Sequence, residues 1–278
     1  MEFDWLDVVL RILSGAIVGF CIGMTGVGGG AIAVPLLTIG FGMPPSISVG
    51  TASLYTFLTK IYATYRHFRL KTINYRVAWT FLAGAVPGNV IASWYVNYRA
   101  GSNMDEGMKA QFQGNLKAFI AMAMLASVGM LFLNLVKRKK KGGDSRSELG
   151  RNPGRASQRH PGKMAIGLLM GAVVGAVVGA TALGAGVMAI PVLLLCFGIT
   201  ASQCIGSSIF IGLILTLISS LIYTKGGQMH TMTAVLMSLG SLGGVYYGSK
   251  MTVKLPEARL KQVVIGIILI ASVLMFFR

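Results

Sequence analysis

Ten apolar segments make up most of the 278-residue chain, and they restrict its fold more than any other feature. Several run for about 20 residues with few charged side chains, which is the length that a helix needs to cross the hydrocarbon core of a bilayer. Charged residues are only 12% of the chain, whereas soluble domains have about 25%. The sequence therefore predicts an all-α polytopic membrane protein. The segments are residues 6–25, 30–43, 46–65, 77–97, 112–136, 164–182, 186–199, 202–222, 231–249 and 260–277.

The second half of the chain repeats the first. At a constant offset of 156 residues the two halves align without a gap, and 15 of the 36 positions from 15 to 50 are identical. Gly15, for example, matches Gly171. Glycines spaced by four along a helix, such as Gly15, Gly19 and Gly23, predict close packing against another helix.

The charges of the connecting loops predict that the two copies are inverted, because Lys and Arg favour the cytoplasmic side. In the first copy the loop after the third segment is the basic one, whereas in the second copy it is the loop after the fourth. Matching loops should then face opposite sides, which requires an odd number of crossings per copy. We expect two inverted repeats of about five apolar segments each, with broken or short helices at the glycine-rich motifs and both termini outside. The basic residues are Arg66, Arg69, Lys71 and Arg76 in the first loop and Lys250, Lys254, Arg259 and Lys261 in the second.

A basic linker separates the copies. Residues 137–163 hold ten Lys or Arg against two acidic residues, a pattern that after a span marks a cytoplasmic loop and that can also bind anionic lipid. The linker has no aromatic side chain, which argues against a nucleic-acid surface. We expect the protein to lie in the cell membrane, that is, the plasma or inner membrane. Residues 1–136 should form the first transmembrane repeat, 137–163 a basic cytoplasmic linker and 164–278 the second transmembrane repeat.

Each copy contains a glycine-rich break followed by a short apolar segment. Residues 25–30 read TGVGGG, and residues 181–186 read TALGAG. Glycine permits irregular backbone and close approach of a ligand, and the free amides and dipole at the start of the next helix attract anions. Irregular backbone at membrane depth survives only where it is buried in protein or lines a wet cavity. The two breaks therefore predict a central anion site, with close helix packing as the alternative reading.

Small hydroxyl groups lie beside the breaks and near the start of the third segment of each copy. Such hydroxyls can bind an oxyanion, or they can merely bond to the carbonyl four residues back, and the sequence leaves both open. Lys60 is likewise either a counter-charge or a side chain that snorkels to the interface. The candidate substrate-binding residues are Thr25, Gly26, Gly28, Gly29, Gly30, Thr51, Ser53, Thr181, Gly184, Ala185, Gly186, Ser207 and Ser208.

Titratable side chains are absent from the places where chemistry would need them. No Asp or Glu lies in the interior of any predicted span, so a carboxylate proton relay is unsupported. The three histidines lie at or beyond span ends, and the three cysteines lack the spacing of a zinc site or disulfide frame. We expect no catalytic pair, no metal site and no cofactor, and therefore no enzyme. These residues are His67, His160, His230, Cys21, Cys196 and Cys204.

The duplicated arrangement resembles the sulfite exporter TauE/SafE family. The likeness rests on Gly26-Val27-Gly28-Gly29-Gly30 with Pro35 and on the weaker Gly184-Ala185-Gly186 with Pro191, together with Gly50 and the turn at 67–75. It extends over about residues 15–277, apart from the linker. The resemblance implies export or uptake of small sulfur-containing oxyanions, such as sulfite or organosulfonates. Together with the inverted repeats and the two breaks, it leads us to expect a secondary transporter, acting as an exporter by alternating access at a site between the breaks.

Two other functions stay open from the sequence: an anion channel and a membrane scaffold that transports nothing. The expected partners are the sulfite-like oxyanion and membrane lipid, with no nucleic acid. The sequence leaves a homo-oligomer open.

Overall fold

The chain folds into a bundle of α-helices in the computed structural model. The structure describes residues 5–25, 29–102, 105–140, 161–183, 185–193, 197, 199, 201–252, 266, 269–270 and 272–275. Over these residues the backbone is helical apart from short turns and connections. The all-α polytopic fold class is thereby confirmed. The helices are α1 (Trp5–Thr25), α2 (Gly30–Pro35), α3 (Pro45–Arg69), α4 (Tyr75–Gly101), α5 (Glu106–Lys140), α6 (Pro161–Thr181), α7 (Ala185–Val192), α8 (Ala201–Lys225) and α9 (Thr231–Thr252).

The two short helices, α2 and α7, follow the glycine-rich breaks. Helix α2 continues directly into a wider π-helical turn over Leu36–Gly40. Pro35 lies at this junction; it has no backbone N–H to donate, and its ring crowds the carbonyl four residues back, so the regular α ladder cannot continue through it unchanged.

Three of the described helical stretches are long and apolar enough, by length and composition, to cross a membrane: Trp5–Ile22, Tyr75–Gly101 and Gln203–Lys225. Two shorter apolar stretches are Gly30–Gly40 and Ala165–Thr181. Helix α3 carries a series of hydroxyl side chains that are buried in the protein: Ser46, Ser48, Thr51, Ser53, Thr56 and Thr59. The count of ten crossings stays a prediction, and most of residues 260–277 lie outside the described part of the chain.

The helices pack in a pattern that exchanges partners between the two halves. The most extensive contacts join α1 with α9 and α4 with α6. At the offset of 156, α1 corresponds to α6 and α9 corresponds to α4, so these two contacts are counterparts. Helices α3 and α8, which also correspond, pack against each other.

Glycines bring the paired helices into backbone contact. A Cβ atom on Gly19 would lie 2.6 Å from the Cα of Ser241 in α9, and one on the matching Gly175 would collide with the backbone of Ala85 in α4. Gly15 meets the backbone of Met237 in the same way. The predicted close packing is confirmed for Gly15 and Gly19.

Helices α3 and α8 run antiparallel, with the start of each beside the end of the other. Near the start of α3, the Ser46 hydroxyl donates to Gln228 Oε1 over 2.8 Å, just beyond the end of α8. Near the start of α8, a Cβ on Gly206 would lie 2.6 Å from Thr72 Oγ1, just beyond the end of α3. The α3–α4 and α8–α9 turns therefore lie at opposite ends of this helix pair.

Large apolar side chains cover much of the outer surface. On α1, Leu13 and Ile17 are exposed, and Trp5 at its start is 84% exposed. Trp94 and Tyr98 of α4 are exposed as well, with their rings stacked at a centroid distance of 5.4 Å. Exposed apolar area on this scale indicates lipid as the surrounding solvent, with aromatic rings of the kind that gather at the interface.

Candidate functional site

The two glycine-rich breaks touch each other. Gly30, the first residue of α2, lies so close to Ala182, just after α6, that a Cβ on Gly30 would collide with the Ala182 carbonyl oxygen. The same Cβ would lie 3.4 Å from the backbone nitrogen of Leu183. A glycine is required at position 30 because the backbone of one break passes directly over the other.

The hydroxyl of Thr181 stabilises the break of the second half. The Thr181 hydroxyl donates to the carbonyl of Val177 over 2.6 Å and accepts from the Leu183 N–H over 3.2 Å. Ala182 has φ = 51°, a left-handed conformation that costs a non-glycine residue about 1–2 kcal/mol. The helix α6 thus ends in a left-handed cap, stabilised by Thr181, which is fully buried.

The break of the first half is described from Gly29 onwards. A Cβ on Gly29 would lie 2.6 Å from Cδ1 of Ile22 in α1 and 3.1 Å from Cε1 of Tyr55 in α3. The Tyr55 ring is fully buried, and it places α3 directly beside the break. Thr25 ends α1, but its side chain, like Gly26 and Gly28, lies outside the described residues.

The remaining break residues belong to the second half. Ala185 is the first residue of α7, and Gly186, the second, is buried. Gly184 lies outside the described residues. Among the break residues that the structure describes, Gly30 is thus the one seen to contact the other break, at the backbone of residues 182–183.

Thr51 and Ser207 make matching contacts at opposite ends of the α3–α8 pair. The Thr51 hydroxyl accepts the N–H of His230, next to the start of α9, over 3.0 Å. The Ser207 hydroxyl accepts the N–H of Asn74, the N-cap of α4, over 3.0 Å. The structure separates the two hydroxyls by a distance on the order of 25 Å, because nearly the whole of α3 lies between them.

Ser53 and Ser208 bond within their own helices. The Ser53 hydroxyl donates to the Val49 carbonyl over 2.8 Å, and the Ser208 hydroxyl donates to the Ile205 carbonyl over 2.9 Å. A hydroxyl that already donates to a carbonyl has to rotate away before it can donate to an anion. Both side chains are buried.

A buried polar cluster next to the second break was missed by the sequence reasoning. Asn89 of α4 donates to the Ser219 hydroxyl of α8 over 3.0 Å and accepts from it over 3.1 Å. Ser93 donates to the carbonyl of Gly179 in α6 over 3.1 Å, and Tyr223 donates to the same carbonyl over 3.0 Å. An Asn in an apolar span was the signal that could have found this cluster, because an amide in hydrocarbon needs partners.

A second polar cluster joins α1 to α9. Arg11 of α1 pairs with Asp7 over 2.9 Å and also donates to the Thr233 hydroxyl of α9. Thr233 Oγ1 lies 2.8 Å from Nδ1 of His230. The Arg11 charge is thus compensated locally, and this cluster connects helix ends.

Comparisons with known proteins agree with a membrane transporter. The sequence profile of the Sulfite exporter TauE/SafE family matches residues 11–275. The chain therefore belongs to the sulfite exporter TauE/SafE family, and it is a membrane-embedded transporter.

Curated relatives carry transporter names. The chain is 28% identical over 262 residues to "Probable membrane transporter protein YjnA" of Bacillus subtilis, covering 94% of this chain and 96% of the relative. It is 20% identical over 258 residues to "Probable membrane transporter protein YunE" of the same organism, covering 88% and 87%. A relative from Methanocaldococcus jannaschii, also named a probable membrane transporter protein, is 35% identical over 86 residues, or 29% of this chain and 32% of its own. No solved structure matches the chain.

Proposed function

We propose that the protein carries a small sulfur-containing oxyanion, such as sulfite, out of the cell by alternating access at the two helix breaks. The observation that carries this proposal is the direct contact of Gly30 with the Ala182–Leu183 backbone. At this contact two irregular segments and two helix ends meet in the interior of the protein, and irregular backbone at membrane depth is found where it is enclosed by protein or lines a cavity that opens to a ligand. The family membership supports the substrate class and transport in place of catalysis.

The arrangement of the halves supports alternating access. Each half supplies one break, and α1 and α6 pack against helices of the opposite half. The loop charges favour inverted repeats, with residues 1–136 and 164–278 as the two units around the cytoplasmic linker 137–163. A motion that exchanges the conformations of the two halves would expose the contact between the breaks first to one side and then to the other.

The oxyanion would be held by backbone amides and hydroxyls. The proposed donors are the amides around 28–30 and 184–186, which belong to the two breaks in sequence, and the hydroxyls of Thr25 and Thr181. The Thr181 hydroxyl already donates to Val177, so binding requires it to rotate toward the anion. A hydrogen bond to a charged group contributes about 1.5–3 kcal/mol.

Sulfite flux in proteoliposomes tests this proposal. The unaltered protein is expected to show saturable flux that sulfite on the opposite side accelerates. The double variant Thr25→Val plus Thr181→Val is expected to raise the KM for sulfite about tenfold or more, because two donors are lost. Thr80→Val is the matched control, since its exposed hydroxyl also donates to the carbonyl four residues back, that of Arg76, over 2.9 Å.

Each result has a separate consequence. Flux that does not saturate and that sulfite on the opposite side does not accelerate would indicate a channel rather than a carrier. Absence of flux for sulfite, thiosulfate, sulfate and a sulfonate would contradict transport of a sulfur oxyanion and favour a scaffold. An unchanged KM in the double variant would show that the hydroxyls of Thr25 and Thr181 do not bind sulfite.

A further inference from the structure

Lys60 of α3 is a buried cation that has no hydrogen-bond partner among the described residues. Its residue is 7% exposed, and its Nζ atom is inaccessible to solvent. Lys60 lies nine residues before the end of α3 at Arg69, roughly 13 Å along the helix axis. Its ammonium group is therefore not at the exposed helix end, where a snorkelling lysine would place it.

Two threonines extend the same face of α3. Thr56 and Thr64 stand one turn before and one turn after Lys60, at the spacing of four residues that aligns side chains on a helix. The Oγ1 atoms of both are buried and have no hydrogen-bond partner in the described part of the chain. Thr59, by contrast, donates to the carbonyl of Tyr55 over 2.8 Å. These three residues, the Thr56–Lys60–Thr64 stripe, therefore carry three buried polar groups without a hydrogen-bond partner among the described residues.

The stripe begins at the level of the first break. Thr56 follows Tyr55, whose ring would lie 3.1 Å from a Cβ on Gly29. Lys60 is five residues beyond Tyr55, about 7.5 Å along α3.

No carboxylate in the described part of the chain pairs with Lys60. Between Asp7 and Asp105, and again between Glu148 and Glu257, there is no acidic residue at all. Helices α2, α3, α4, α6, α7, α8 and α9 all lie inside these two ranges. Asp7 itself pairs with Arg11. An isolated buried ammonium is strongly unfavourable in a low-dielectric interior, so an anion from solution is the available counter-charge.

We propose that Lys60 is the charged ligand of the transported anion, with the hydroxyls of Thr56 and Thr64 as flanking donors. This inference rests on the proposed function and names the group that binds the substrate charge. Because Lys60 carries one positive charge and its counterpart in the second half is Thr216, the site is asymmetric. The Thr216 hydroxyl is already bonded to the carbonyl of Gly212 over 2.7 Å, so the charge comes from the first half.

The test uses the full-length protein, purified and reconstituted, with sulfite as the probe. Lys60→Met removes the charge while keeping the length of the side chain, and Lys60→Arg keeps the charge. Lys225→Met is the matched control, because this exposed lysine at the end of α8 loses the same charge at the surface. Flux at a series of sulfite concentrations gives the KM, and thermal unfolding with and without sulfite gives ligand stabilisation.

Lys60→Met is expected to raise the KM for sulfite at least tenfold and to abolish the rise in unfolding temperature that sulfite produces. The KM of Lys60→Arg for sulfite is expected to stay within about threefold of that of the unaltered protein. Lys225→Met is expected to have the same KM as the unaltered protein. Without sulfite, Lys60→Met should unfold at the same or a higher temperature, because an uncompensated buried charge has been removed. A purely structural lysine would give the opposite result, a lower unfolding temperature.

Thr56→Val provides a milder second variant. Removing one hydroxyl donor should weaken sulfite binding several-fold while leaving the fold intact. Saturable flux by the unaltered protein, with an unchanged KM and unchanged sulfite stabilisation in Lys60→Met, would overturn the role of Lys60 and leave the proposed function standing. Absence of flux in the unaltered protein, with sulfite stabilisation that depends on Lys60, would overturn the transport proposal and leave an anion site at Lys60.

Discussion

Two neighbouring glycines of α9 test how closely the helices approach at the residue scale. Gly244 meets the backbone of Ala16, and its Cβ would lie 2.7 Å from the Phe20 nitrogen, whereas a Cβ on Gly243 would meet nothing within 4 Å. Gly244→Ala is expected to lower the free energy of unfolding by about 1–3 kcal/mol, because backbone cannot move aside cheaply. Gly243→Ala is expected to be neutral or to stabilise by up to about 1 kcal/mol, because alanine favours a helix.

Denaturation of the purified protein in detergent, followed by tryptophan fluorescence, would measure both variants. Gly88, the counterpart of Gly244, meets the backbone of Ala172, so Gly88→Ala should behave like Gly244→Ala. Equal unfolding free energies for Gly243→Ala and Gly244→Ala would contradict the packing of α1 against α9.

Residue spacing predicted that these helices pack closely but could not say against which partner. The four-residue spacing of Gly15 and Gly19 is visible in the sequence, because it depends only on helix geometry. Their contacts with Met237 and Ser241, more than 200 residues away, depend on how two halves interlock. The contact of Gly30 with Ala182 likewise depends on tertiary packing, so the sequence indicated both breaks and the fold had to bring them together.

At the element scale, the pair Asn89–Ser219 joins α4 to α8. Each side chain donates one hydrogen bond to the other, over 3.0 and 3.1 Å, and both are fully buried. Measured couplings of this kind in membrane proteins average about 0.6 kcal/mol and reach about 1.7. A double-mutant cycle with Asn89→Ala and Ser219→Ala should therefore give a coupling energy in that range.

The control is a second double-mutant cycle, which pairs Asn89→Ala with Thr216→Ala on the same helix as Ser219. Thr216 bonds to the carbonyl of Gly212, and no contact with Asn89 is described for it, so its coupling with Asn89 should be close to zero. Unfolding in mixed micelles with increasing denaturing detergent provides the free energies. Additive effects of Asn89→Ala and Ser219→Ala would contradict a direct α4–α8 bond.

The helices were predictable from apolar runs, but their ends were not. The predicted segment 46–65 became α3, Pro45–Arg69, and the predicted segment 112–136 became α5, Glu106–Lys140. Apolar runs mark only the part of a helix that lies in hydrocarbon, whereas the helix itself continues into the interface, where charged side chains are solvated. For the same reason α5 and α6 extend into the predicted linker 137–163.

At the scale of the whole molecule, the inversion of the halves that the loop charges predict sets the expected side of each turn. Leu70 follows α3, and its match at the offset of 156 is Gly226, next to Lys225 at the end of α8. These two turns lie at opposite ends of the antiparallel α3–α8 pair. Gly101, at the end of α4, is close to Gly226, since its Cβ would lie 3.9 Å from that carbonyl oxygen. The α4–α5 turn therefore shares an end with the α8–α9 turn.

Single cysteines in a chain whose three native cysteines are replaced by alanine would reveal these sides. Because the α3–α4 turn is the basic one, Leu70→Cys should react with a membrane-impermeant maleimide only after cells are permeabilised. Lys225→Cys and Gly107→Cys should react in intact cells, and Gly107 is suitable because a side chain there meets nothing within 4 Å. Labelling of Leu70→Cys and Lys225→Cys from the same side would contradict inversion, because turns that match in sequence would then share a face. Alternating access between two equivalent breaks would in that case lose its structural basis.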